Sequence, residues 1–114
     1  MLATVASRSY DLDNVGEFYD FKAFIFNQVK VTWMLLNNWV RETDDGLLWL
    51  GMSSGEVNVS YYLDVSPIKL TLTTYYRRVR YKHSPMPSNY QDIGYHPDFL
   101  GELLALLIQL PVRE

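Results

Sequence analysis

Apolar and polar positions alternate most cleanly between Val57 and Tyr81. Val57, Val59, Tyr61 and Leu63 take every second place, as do Ile68, Leu70 and Leu72, with Asp64-Val65-Ser66-Pro67 between the runs. Successive strand side chains point to opposite faces, so each run predicts a half-buried strand and the intervening residues predict a turn. Along the second run the apolar positions change from even (Ile68, Leu70, Leu72) to odd (Val79, Tyr81). One flat strand cannot hold both sets on one face, which predicts a bulge or bend near Thr73-Thr74.

Upstream, Asp44-Asp45-Gly46 separates the apolar runs Trp39–Thr43 and Leu47–Met52. Asp-Gly between such runs predicts a hairpin, because glycine accepts the positive φ that the turn requires. Leu47-Leu48-Trp49-Leu50 is apolar on both faces, the pattern of a central strand. Ser53-Ser54-Gly55 supplies the next turn.

Two periods fit Glu17–Val40. Phe21, Ile25, Val29, Trp33, Leu36 and Val40 make a helical stripe with Asp20, Asn27, Lys30, Asn37 and Arg41 behind it. Equally, Val29, Val31, Trp33 and Leu35 alternate with Gln28, Lys30 and Thr32, and Phe24 and Phe26 lie across a turn at Asn27-Gln28. Phe, Ile, Val, Thr and Trp dominate while Ala and Leu are few, and that favours strands. The expectation is a hairpin, Tyr19–Phe26 paired with Val29–Leu36, ended by Asn37-Asn38; one long helix is the alternative.

The ends complete the outline. Met1–Val5 reads as a short strand or a mobile end. Ser7–Gly16, with Asp11, Asp13 and Asn14, reads as loop, and so does His83–Pro97, with Pro85, Pro87, Ser88, Asn89 and Gly94. Pro97 then opens a helix, with Asp98 and Glu102 near its positive end. Phe99, Leu100, Leu103, Leu104, Leu106, Leu107 and Leu110 cover more than one stripe of it, and Pro111 stops it. A helix so apolar is expected to be buried on most sides, against the sheet alone or against the sheet and a second subunit. The predicted fold is α+β over one domain, residues 1–114. It is an antiparallel meander of five to six strands, open or curled into a half-barrel, packed on one C-terminal helix.

Composition narrows the function classes. The 114-residue chain is 48% hydrophobic and 20% charged, as expected of a globular domain. Its longest uncharged apolar run, Leu103–Leu110, is too short to span a bilayer. The first 15 residues carry no basic start followed by an apolar stretch, so no signal peptide is expected. There is no cysteine, which removes thiolate nucleophiles, disulfides and Cys-based zinc sites and suits the cytoplasm. A net charge of −3 argues against general nucleic-acid binding. Yet Arg77, Arg78, Arg80 and Lys82 hold four of the ten basic residues. Nine Tyr, five Phe and three Trp make 15% of the chain aromatic, which suits a β-rich core and a binding face alike.

Four constellations bear on chemistry. In Tyr75-Tyr76-Arg77-Arg78-Val79-Arg80-Tyr81, strand alternation puts Arg78, Arg80 and Lys82 with Tyr76 and puts Tyr75, Arg77, Val79 and Tyr81 opposite. Such a strand can stack bases or clamp an acidic partner, or simply be a solvated edge. Glu42, Asp44 and Asp45 could serve as acid and base or hold a hard cation, but turn formation alone explains Asp44-Asp45 beside Gly46, and no metal site is expected. His83 and His96 are candidate general bases, with Tyr90, Tyr95 or Asp98 to orient them; His96 can equally cap the helix. Trp33, Trp39, Trp49 and Tyr61 are candidates for an aromatic patch that one helix leaves uncovered.

No phosphate loop, nucleotide fingerprint or nucleophile elbow is present, and no cofactor is expected. Three function classes follow, in order. The first is a non-catalytic protein-interaction module, of inhibitor, immunity or mobile-element accessory type, pairing with a protein partner or with itself as a homodimer. The second is a small-ligand binder or enzyme with a pocket between curved sheet and helix that uses His83 or His96. The third is a single-stranded nucleic-acid binder acting through the Tyr/Arg strand.

Overall fold

The computed structural model describes residues 1–78 and 86–110. The chain begins as a hairpin, β1 (Leu2–Val5) and β2 (Arg8–Asp11), paired Val5 to Arg8. Its turn residues Ala6 and Ser7 both take positive φ, 51° and 63°, as a tight two-residue hairpin turn demands. Ala3, Val5 and Tyr10 face the core. Part of the expected Ser7–Gly16 loop is therefore a strand, because backbone pairing to β1 outweighs the polar composition of Arg8–Asp11.

Helix α1 (Val15–Leu35) follows. It replaces the expected Tyr19–Phe26/Val29–Leu36 hairpin, and this is the main correction to the sequence reading. The Asn14 side chain caps it by accepting the Glu17 backbone N–H at 3.0 Å, and the Glu17 carboxylate accepts the Asp11 N–H at 3.2 Å. The Asn14 N–H itself donates to the Asp11 carbonyl at 3.1 Å, so the helix start is tied back to the end of β2. Phe21, Ile25, Val29 and Trp33 form the fully buried stripe, with Phe26 beside them. Burial of this stripe overrides the β propensity of its residues. Asn37, at φ 60°, ends the helix, its N–H donating to the Met34 carbonyl at 3.0 Å.

Five antiparallel strands form the second sheet in the order β3-β4-β5-β6-β7: Trp39–Glu42, Leu48–Ser54, Val57–Val65, Leu70–Arg78 and Met86–Ile93. The expected Asp44-Asp45-Gly46 turn holds, with Gly46 at φ 85°; the next turn is Gly55-Glu56, with Gly55 at φ 59°, because Ser53 and Ser54 pair with Asn58 and Val57 inside the hairpin. Strand β7 occupies part of the expected His83–Pro97 loop. The expected irregularity near Thr73-Thr74 is present, but in the β6–β7 pairing. Thr74 pairs with Asn89 and Tyr75 with Pro87, which skips Ser88, whereas β5–β6 is regular throughout. Val79 and Tyr81 lie outside the described residues, as does Pro111.

Helix α2 (Phe99–Gln109) packs on the same face of the sheet as α1. Its Phe99, Leu103 and Leu107 are fully buried with Leu48, Leu50, Leu63, Leu70, Leu72 and the α1 stripe. The rest of α2 is half-buried or exposed, so one stripe is buried rather than most of its sides. The Trp33 indole N–H donates to the Gly51 carbonyl at 3.3 Å, tying α1 to the middle of β4. The architecture is α+β, an antiparallel meander backed by the C-terminal helix, with α1 as a second helix.

Candidate functional site

Both helices cover one face of the five-stranded sheet. Leu48, Leu50, Met52, Val59, Tyr61, Leu63, Leu70 and Leu72 point into it. Strand alternation sends their neighbours to the other face, which carries no helix among the described residues. Register arranges that face in cross-strand rows. One row runs Trp39, Gly51, Ser60, Tyr75, and the next runs Arg41, Trp49, Tyr62, Thr73, Tyr90. Ser53, Asn58 and Arg77 lie beyond the first row, and Asp64, Thr71 and Asp92 beyond the second.

The two central rows interlock. A Cβ on Gly51 would stand 2.2 Å from Trp49 Cη2, so the indole lies directly on the glycine. Tyr62 and Tyr75 meet edge to face at 5.3 Å, and the Arg41 guanidinium stands 5.6 Å from the Trp49 ring. Trp39 (56%) and Tyr90 (61%) are exposed at the two margins. Between Trp39, Trp49, Asn58, Ser60, Tyr62, Tyr75 and Arg77 lies a trough of about 430 Å³. A neighbouring hollow of about 470 Å³ shares Ser60, Tyr62 and Tyr75 and reaches Asp45, Leu47 and Thr73.

No protein-family model, curated protein or solved structure matches this chain.

Charge is graded along the face. Arg77 lies at one end and Asp64 and Asp92 at the other. Lys69 donates to Asp92 at 3.2 Å, and Thr71 donates to the other carboxylate oxygen at 3.2 Å. The Lys69 bond, with Lys69 charge behind it, holds the Asp92 carboxyl below its usual range and raises Lys69 in turn. Among the described residues Arg8, Lys30 and Lys69 are ion-paired, whereas Arg41 and Arg77 are not. The two cations of the face are therefore available to a partner.

The sequence candidates divide. Tyr75, Arg77 and Trp49, with Trp39, come together on the helix-free face. Trp33 and Tyr61 do not: both are buried, packed edge to face at 5.6 Å, and are core residues rather than surface ones. Tyr76 lies on the helix side, where it lines a hollow of about 290 Å³ with Thr74, Asn89, Gln91, Leu106 and Leu110. This is a space between sheet and C-terminal helix, and among the described residues its lining does not include His96. Arg78 closes β6, and nothing is described of its side chain. Arg80, Tyr81 and His83 lie outside the described residues.

His96 is exposed at the start of α2, its Nε2 3.1 Å from the Glu102 carboxylate. Glu42 pairs with Lys30 at 3.5 Å, apart from Asp44 and Asp45 in the turn. Among the described residues no cluster of His, Asp and Glu could hold a metal, and no helix is long and apolar enough to cross a membrane. Arg41, Tyr62 and Tyr90 were missed as members of the face. Arg41 and Tyr62 were legible from parity, since Tyr62 alternates against buried Tyr61 and Leu63 and Arg41 follows Trp39 by two.

Proposed function

We propose that the protein is a non-catalytic recognition module that holds a protein partner on the helix-free face of its sheet. One observation carries this: Trp39, Trp49, Tyr62, Tyr75, Tyr90, Arg41 and Arg77 share that face, and among the described residues its two central rows hold no Lys, Glu or Asp, the acids Asp64 and Asp92 lying at one end. Trp, Tyr and Arg are the side chains that carry most binding energy at protein interfaces, and Lys and Glu are depleted there. Rings bring large contact area at low entropic cost, and Ser and Asn bring adaptable hydrogen bonds. The trough gives a bulky side chain a seat, with Arg77 in its lining and Arg41 over Trp49, neither ion-paired among the described residues. The reading includes a cytoplasmic setting, in which a chain without cysteine gives up no disulfide.

Selection from a random peptide display library against the folded protein tests the reading. Selected peptides should shift the fluorescence of Trp39 and Trp49. They should lose about tenfold or more in affinity on Trp39→Ser or Tyr75→Ser, the cost of truncating a hot-spot ring. Peptides that bind both variants as they bind the parent would rule the face out.

A further inference from the structure

We infer that the occupant of this face is a second copy of the chain. The two sheets pack face to face about a two-fold axis that crosses the strands between the Trp39 row and the Trp49 row. The inference rests on the proposed recognition face and adds what fills it. Its ground is the charge gradient. An axis across the strands keeps each strand opposite itself and inverts the order of the rows. Arg77 of one copy then stands over Thr71 of the other, between Asp64 and Asp92, and symmetry makes the contact twice. The alternative axis, along the strands, sets Asp64 against Asp64 and leaves Arg77 near Ser53. Charge therefore selects one of the two arrangements.

Shape agrees. The same axis sets the Tyr62 ring of one copy against Ser60 of the other, and the Arg41 guanidinium against the projecting Trp39 ring. Bulk meets hollow and cation meets aromatic face. Strands about 4.8 Å apart and same-face rows about 6.8 Å apart give this face a flat area of roughly 600 Å² per copy. Two copies then bury roughly 1,200 Å², at the lower bound of stable interfaces, so a micromolar dimer is expected. A single-stranded nucleic acid fits less well, because its phosphates would run from Arg77 onto Asp64 and Asp92.

Sedimentation velocity over a concentration series of the full chain tests this. Wild type should form a dimer. Arg77→Asp should weaken it by about tenfold or more, as should Asp64→Arg, and the double reversal Arg77→Asp with Asp64→Arg should recover most of the loss. Both positions of change are exposed, and circular dichroism checks that each variant keeps its fold. A dimer indifferent to these reversals, or one lost on Leu35→Glu at the exposed end of α1 instead, overturns the inference. So does a wild type that stays monomeric to about 100 μM, well above the micromolar range expected of an interface this size. If that monomer still binds selected peptides on this face, the recognition reading stands and only the occupant is wrong. If it binds oligothymidine there, both fail.

Discussion

Gly51→Ala puts the closest contact on the open face to a quantitative test. The new methyl would stand 2.2 to 2.9 Å from three carbons of the Trp49 indole, so the ring must leave. The carbons concerned are at the far end of the side chain, and Trp49 is only half-buried, so the ring swings outward and the strand stays. Two effects oppose each other. Alanine in a strand interior gains about 0.5–1 kcal/mol over glycine through backbone entropy. Expelling an indole from its seat costs about 1–3 kcal/mol, the range for overpacking a well-fitted site. The net expectation is a loss of about 1 kcal/mol, or about 4 °C in Tm for a chain near this size. The decisive measurement is the cycle with Trp49→Ala. Without the ring the clash is gone, and Gly51→Ala should become neutral or stabilising, for a coupling of about 1.5–2 kcal/mol. Urea denaturation followed by circular dichroism gives all four stabilities without relying on the indole signal. Equal effects of Gly51→Ala in both backgrounds would refute the reasoning.

Two further outcomes check the helix and the loop before α2. Ile25→Ala should cost about 2–5 kcal/mol, while Val31→Lys should stay within about 0.5 kcal/mol, because Ile25 is in the core and Val31 is 53% exposed on α1; thermal melts that rank them equally would favour the hairpin. Tyr95 donates its hydroxyl to the Ser66 carbonyl at 2.9 Å, and burial, with Asp64 nearby, raises its pKa above the ordinary tyrosine value of about 10. The unfolded chain ionises first, so the stabilisation from Tyr95 is complete below about pH 10 and is lost as pH climbs toward the higher folded value. Tyr95→Phe should cost about 0.5–1.5 kcal/mol at neutral pH and flatten the alkaline loss of stability measured by urea midpoints; an alkaline limb identical in both proteins would refute this.

The meander was legible because its turns announce themselves. Asp44-Asp45-Gly46 and Gly55 marked two connections, the second starting two residues later than expected, and alternation showed which residues of β4, β5 and β6 face inward. The helix was not, and the reason is arithmetic. Phe21, Ile25, Val29 and Trp33 recur every fourth residue, a spacing in phase with both the helical repeat and strand alternation. The positions that separate the readings are Val31 and Leu35. A strand buries them beside Val29 and Trp33; the structure exposes them, Leu35 by 78%. Asn14-Val15-Gly16-Glu17 also held a capping-box signature that points to the helix. Strand β7 was hidden for a different reason. Its stability comes from backbone bonds to β6, and Pro87, Ser88 and Asn89 look like loop in any composition-based reading. The open face was half legible. Parity groups Trp49 with Gly51 and Tyr62 with Ser60, but only the placement of the helices decides which group is left uncovered. Trp33 and Tyr61 were assigned to the surface for want of that information.

The Ser88 irregularity bears on how large any assembly of this protein can grow. A sheet margin is a template onto which another chain can add main-chain bonds without limit. Here one margin is interrupted by the skipped residue and by Pro87, which has no N–H to give; the other is β3, four residues long and carrying Arg41 and Glu42. Lateral addition is disfavoured on both flanks. The proposed pairing through the flat of the sheet would consume its own docking surface once two chains had met, and so would stop at a pair rather than propagate into a fibre.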